Sequence, residues 1–180
     1  MPLQIFEQRY LDLIRQCMKT DTGFGVVWLR SGAEVSRPGN TNTDIGDYGT
    51  LARIIDWDQL PNGLLGITIE GSSTFTIDSV TTQDKGLVVG CVQSIEPPAP
   101  EALRDEWQAF SHILQSLETH PHVQRMGLNI DYDDAWQVAY SLVQLLPLEE
   151  SLKYQLLGER SIEDLMAGLD SILNDISGEE

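Results

Sequence analysis

The sequence predicts an α+β fold: a coiled antiparallel sheet or small β-barrel, followed by a helical bundle. Three observations carry this reading. The hydrophobic period changes near residue 100, turn-forming clusters crowd the first half, and a proline run separates the halves. From Phe24 to Ile95, short β-branched or aromatic runs alternate with Gly, Asn, Asp and Pro clusters, the pattern of strands joined by hairpins. Beyond Glu96-Pro97-Pro98-Ala99-Pro100, apolar residues recur at three- and four-residue spacing, which puts them on one face of a helix.

Taken in order, residues 5–19 read as a helix with Ile5, Tyr10, Leu13, Ile14, Cys17 and Met18 near one face, stopped by Asp21-Thr22-Gly23. Strands are expected at Phe24–Arg30, Gly49–Asp58, Leu64–Glu70, Thr74–Thr81 and Leu87–Ser94. Turns are expected between them at Ser36–Gly46, Pro61–Gly63, Gly71–Ser73 and Gln83–Gly86. Asn62-Gly63 is the strongest hairpin signal, because both residues accept the positive φ of such turns. Strands this closely spaced suggest a small barrel or a strongly coiled sheet. The prolines forbid a helix or a ladder through their segment. The expected organisation is therefore a β-rich unit over 1–96, a hinge at 97–100 and a helical unit over 101–180. Helices are expected over Glu101–Thr119, Ala135–Leu146 and Leu148–Leu157, with a last one opened by Ser161 as N-cap and ending near Asn174.

The chain has 180 residues, enough for a core that buries roughly 70% of the unfolded surface. It carries 28 acidic against 11 basic side chains, a net charge of −17. Such a field repels phosphate backbones and anionic lipid, so neither nucleic acid nor membrane is expected as a partner. Residues 1–99 hold 7 basic and 12 acidic groups and residues 100–180 hold 4 and 16, which puts most of the acidity on the helical half. Cys17 and Cys91 belong to no paired motif and are expected as buried thiols. Apolar runs fall short of the roughly 20 residues that span a bilayer, and the expected location is cytoplasmic.

Catalytic signatures are missing: the sequence has no G-x-S-x-G, H-E-x-x-H or Walker A pattern. His120-Pro121-His122 near Asp131, Asp133 and Asp134 invites a metal site, but exposed loop histidines explain it more simply. Asn129-x-Asp131-x-Asp133 imitates a calcium loop and then places Asp134 where the turn glycine belongs; helix capping by Asp131 or Asp133 is expected instead. No catalytic residue, metal or cofactor is assigned. The remaining functional signal is aromatic. Trp28 is expected in the core, whereas Trp57 with Leu60 and Leu65 is the candidate peptide-binding surface.

The order of motifs resembles the N-terminal, substrate-binding domain family of Lon proteases. Pro2-Leu-Gln-Ile-Phe-Glu-Gln-Arg-Tyr10 is similar to the family's first block. Phe24-Gly-Val-Val with Gly32-x-Glu34, Gly49-Thr50-Leu-Ala-Arg-Ile54, Asn62-Gly63, and Gly71-x-x-x-Phe75-x-Ile77 follow in order, then Leu146-Pro147 and Lys153-x-Gln155-Leu-Leu157. The resemblance implies a PUA-like β-barrel and a helical bundle with no catalytic residues. It gives Glu7, Arg9 and Tyr10 a structural role in pinning the first helix to the barrel. Gly25, Gly49 and Gly71 are implied at backbone positions needing small or permissive residues, beside Thr50 and Phe75. Thr74 stands where the family carries Arg before the Phe. Family members also begin with a further strand, so the native start is expected upstream of Met1.

The function that follows is a non-catalytic module capturing extended or unfolded polypeptide, partnered by such segments and by a protease or chaperone component. RNA binding by a PUA-like barrel is the alternative, and a peptidase in its own right is the weakest.

Overall fold

The computed structural model describes residues 1–31 and 44–178, with two compact units, Met1–Pro97 and Pro98–Glu180. The expected Gly32-x-Glu34 block and most of the Ser36–Gly46 turn lie outside the described residues.

The first unit is an antiparallel sheet with one helix. In chain order it comprises β1 (Pro2–Ile5), α1 (Gln8–Thr20), β2 (Phe24–Ser31), β3 (Asp44–Gln59), β4 (Leu65–Thr82) and β5 (Val88–Ile95). β4 is the axis of the sheet. β3 pairs along one of its edges from Tyr48↔Thr76 to Gln59↔Leu65. The other edge is shared, β1 taking Leu65–Thr68 and β5 taking Thr74–Thr82. β2 completes the sheet against β3, from Phe24↔Ala52 to Ser31↔Asp44.

Three expectations change here. Ile5 ends a strand instead of opening a helix, and α1 starts at Gln8. β3 begins at Asp44, before the expected Gly49. The turn expected at Gly71–Ser73 is absent, because β4 runs straight through it. There Leu51 faces Ser73 and Ala52 faces Gly71, leaving Ser72 as the extra residue of a bulge. A bulge bends and twists a strand without reversing it, which small polar residues permit as readily as they permit a turn. The reversals from β3 to β4 and from β4 to β5 carry glycine at positive φ, Gly63 at 82° and Gly86 at 81°.

One face of this sheet packs on α1. Ile5, Ile14, Ala52, Ile67 and Ile69 form the buried cluster, with Tyr10, Phe24 and Leu65 packed against it. Each fully buried aliphatic side chain contributes roughly 1.5–3 kcal/mol.

The second unit is helical: a 3-10 turn at Asp105–Trp107, then α2 (Gln108–Glu118), α3 (Pro121–Gln124), α4 (Ala135–Leu145), α5 (Glu150–Gly158) and α6 (Ile162–Gly178). Leu114, Val138, Leu142, Leu165 and Leu169 are wholly buried at its centre. The helix expected from Glu101 starts later because Glu101–Leu103 is extended. Leu103 N–H donates to the Asp133 carbonyl at 2.9 Å and Ala135 N–H to the Glu101 carbonyl at 2.7 Å. The N-cap of α4 is Asp134, neither Asp131 nor Asp133: its Oδ1 accepts from Trp136 N–H at 3.1 Å and from Glu101 N–H at 3.3 Å. Ser161 opens α6 as expected, accepting from Asp164 N–H at 3.2 Å. Arg104 lies 4.3 Å over the Trp107 ring and bonds Glu101 at 2.6 Å and also Glu163. That pairing raises the Arg104 pKa and lowers that of Glu163.

Candidate functional site

In the first unit, β1, α1, β2, β5 and the middle of β4 line an apolar groove of about 810 Å³. This lies within the range of ligand-binding clefts. The alternation of β4 puts Phe75 and Ile77 into the groove, and their neighbours on β5 are Ser94 and Val92. Leu29 of β2 and Leu13 of α1 supply further apolar lining.

Phe75 is only 6% exposed, and two glycines explain how its ring fits. A Cβ on Gly25 would stand 2.9 Å from Phe75 Cζ. One on Gly49 would stand 2.8 Å from the same atom and 2.6 Å from the Val26 carbonyl oxygen. Gly71 likewise sits under Thr50, whose Cγ2 lies 3.0 Å from the Cβ position. None of these three adopts positive φ, so they are needed for smallness and not for backbone freedom. Thr74 is half-buried and lines the groove.

Rim residues are the exposed ones: Val80, Val89 and Val92 are 47%, 42% and 50% exposed. β2 pairs only with β3 and β5 only with β4 among the described residues. Among the described residues β5 therefore keeps a second edge whose backbone groups can bond an added strand.

An ion pair forms part of the groove lining. Arg9 Nε donates to Glu7 Oε2 at 2.9 Å, and Arg9 Nη1 to the Gly86 carbonyl at 2.6 Å. The guanidinium also lies 4.5 Å from the centre of the Tyr10 ring. These contacts tie the start of α1 to the β4–β5 turn. Nearby, Lys85 bonds Asp12 at 2.8 Å, and with the Gln8 bond it lowers the Asp12 pKa. The groove thus combines an apolar lining with a charge pair that is internally neutralised.

The sequence-predicted surface is divided by the structure. Trp57 is 58% exposed on β3 and lies outside the groove. Leu60 is half-buried, its Cδ2 only 2.9 Å from where a Cβ of Gly66 would stand. Leu65 is half-buried against the α1–sheet core. Trp28 is half-buried on β2. Cys17 is buried as expected; Cys91 is exposed, because it sits on the outer strand opposite Ser79.

Sequence reasoning missed Ile77, Val80 and Val92. Their signal was the alternation Phe75-x-Ile77 against Val92-x-Ser94, with Val80 opposite Gly90 beyond a bulge, legible only once β4 and β5 are paired in register.

In the second unit, His120 Nδ1 accepts from His122 N–H at 3.2 Å and so caps α3. Asp131 Oδ1 accepts from Asp133 N–H at 3.0 Å. No group of three metal-ligating side chains occurs among the described residues. No helix among them is long and apolar enough to cross a membrane.

The family model described as the ATP-dependent protease La (LON) substrate-binding domain matches residues 1–175. A Lon N-terminal domain protein from Xanthomonas campestris has a similar crystal structure, with a TM-score of 0.75 and 31% identity, over 96% of this chain and 87% of that one. The N-terminal domain of a Mycobacterium avium complex Lon protease aligns over 97% of this chain and 87% of that one, at a TM-score of 0.57 and 12% identity, a likeness of fold. A Lon protease of Xanthomonas oryzae pv. oryzae (strain KACC10331 / KXO85) is 30% identical over 118 residues, which is 65% of this chain and 13% of that protein's length.

Proposed function

The chain belongs to the Lon substrate-binding domain family, and from that premise we propose that it captures extended or unfolded polypeptide in the groove of its first unit. The observation that carries this is the pairing of an 810 Å³ apolar groove with an edge of β5 that no strand occupies among the described residues. An extended segment would bond a strand edge through its backbone while alternate apolar side chains enter the groove beside Phe75 and Ile77. Backbone bonding is indifferent to sequence, and pockets for alternate side chains select apolar character. Folded proteins would be rejected because they offer neither. The binding is non-covalent and needs no catalytic group, and the net charge of −17 disfavours RNA as the ligand.

The test is fluorescence anisotropy of a labelled polypeptide whose fold requires its disulfides, kept unfolded by reduction and alkylation and titrated with the full chain. Its folded, disulfide-intact form and a structured RNA serve as competitors. Saturable binding of the unfolded form, resistant to both competitors, is expected. Equal competition by the folded form, or displacement by RNA, would refute the reading.

A further inference from the structure

A second surface lies on the opposite edge of β3. The ladder between β2 and β3 ends at Phe24↔Ala52, yet β3 continues to Gln59. Over residues 53–59 it is bonded to β4 on one side, and among the described residues no strand occupies the other. This open stretch carries Ile55 and Trp57, each 58% exposed. Neither lines the groove, so the two surfaces are separate. Ile55 is the extra residue of a bulge, since Ile54 faces Ile69 and Asp56 faces Thr68.

The backbone polarity of this edge follows from the neighbouring hairpin. Leu60 N–H donates inward to the Leu64 carbonyl at 2.9 Å. In an antiparallel ladder successive N–H groups alternate in direction, so those of Asp58 and Asp56 also point toward β4. Those of Trp57 and Gln59 then point outward, where an added strand would dock. Both are already engaged: Trp57 N–H donates to Asp56 Oδ1 at 2.9 Å and Gln59 N–H to Asp58 Oδ1 at 2.7 Å. Each outward donor is covered by the carboxylate of the residue before it.

That arrangement discriminates among incoming strands. A neutral strand must displace two carboxylates and offers them nothing better than water. An acidic strand adds like-charge repulsion. A strand carrying Lys or Arg gives each displaced carboxylate a cation, which frees the N–H groups for the strand's carbonyls. The basic Arg53 on the same stretch stands directly opposite Glu70, so the local balance remains acidic.

We infer that the open edge of β3 over residues 53–59 is a docking site for an extended partner segment in which basic and apolar residues alternate. The apolar positions cover Trp57 and Ile55, the basic positions engage Asp56 and Asp58, and the backbone bonds the exposed N–H groups of Trp57 and Gln59. Exposed aromatic area supplies the affinity, and the aspartates supply the selection and the salt dependence.

The test uses three labelled eleven-residue peptides with Val at alternate positions and Lys, Thr or Glu between. Each is titrated by anisotropy into the full chain at low and high salt. The Lys peptide is expected to bind at least tenfold more tightly than the Thr peptide and to weaken with salt, and the Glu peptide should not saturate. Trp57→Ala should weaken Lys-peptide binding at least tenfold. Asp56→Asn with Asp58→Asn should erase the Lys preference, and because Asn still accepts the N–H bond it should keep the thermal melt. Val92→Glu, in the groove, should leave Lys-peptide binding unchanged and weaken the unfolded polypeptide, so failure of one site is distinguishable from failure of the other. Equal binding of the three peptides, loss through Val92→Glu instead of Trp57→Ala, or an oligomer abolished by Trp57→Ala, which would make the occupant a second copy of the chain, would each overturn the inference.

Discussion

The Phe75 ring occupies the space that a side chain on Gly49 would need: Phe75 Cζ lies 2.8 Å from the Cβ position of that glycine. β3 and β4 pair these two residues directly, so the register of the sheet decides which aromatic enters the groove. The sequence shows a glycine and a phenylalanine far apart; the ladder makes them one packing unit.

Gly25→Ala and Gly49→Ala should both overpack Phe75, at about 1–3 kcal/mol each. Their rescue should differ. The three atoms nearest to an added Cβ on Gly25 all belong to the Phe75 ring, whereas the Cβ on Gly49 also meets the Val26 carbonyl oxygen at 2.6 Å. Phe75→Leu should therefore recover most of the Gly25→Ala loss and little of the Gly49→Ala loss in urea denaturation. Equal rescue of the two would mean that the backbone clash relaxes freely.

Arg9→Lys keeps the charge and loses the geometry that serves Glu7 and the Gly86 carbonyl together. With side chains only 9% and 15% exposed, the pair is shielded from solvent. A loss of about 1–3 kcal/mol is expected, with faster amide exchange at the β4–β5 turn. Unchanged exchange there would show that Arg9 does not hold the turn.

Groove binding should depend on Val92, which faces Ile77 and is half exposed. Val92→Glu should reduce affinity for the unfolded polypeptide at least tenfold with a thermal midpoint close to that of the parent. Affinity equal to the parent would move the binding site out of the groove.

Tyr132 should ionise well above the ordinary tyrosine range. Burial first, and the hydrogen bond to Glu118 second, push its pKa up to about 12. A raised pKa means the folded state holds the proton more tightly than the unfolded state. The associated stability is complete below pH 10, the ordinary tyrosine value, and is lost as pH rises toward 12. Tyr132→Phe should flatten that alkaline decline and remove a phase near pH 12 from an ultraviolet titration. An unaltered profile would assign the phase to Tyr140, whose pKa burial also raises.

Asp134→Ala should cost about 0.5–2 kcal/mol through loss of the α4 cap. Because Asp134 Oδ1 also accepts from Glu101 N–H, the extended Glu101–Leu103 segment should lose amide protection in the same variant. Protection confined to wild-type levels there would separate the cap from the segment.

By itself the sequence determined the α+β class, the Asn62-Gly63 hairpin, the Ser161 cap and the acidic surface. Each of these follows from local preference or from composition, which need no partner across the fold. It also carried the family, through blocks that keep their order from Pro2 to Leu157. What it left open depended on pairing. Gly71–Ser73 has the composition of a turn, and only the neighbouring β3 ladder makes it a bulge inside one long strand. Trp57, Leu60 and Leu65 lie close in the chain, yet the hairpin points them to solvent, to Gly66 and to the core. The groove belongs wholly to tertiary structure, because it is assembled from strands and a helix whose residues are separated along the chain. Side-chain alternation tells which residues share a face, but the register between strands decides which faces meet.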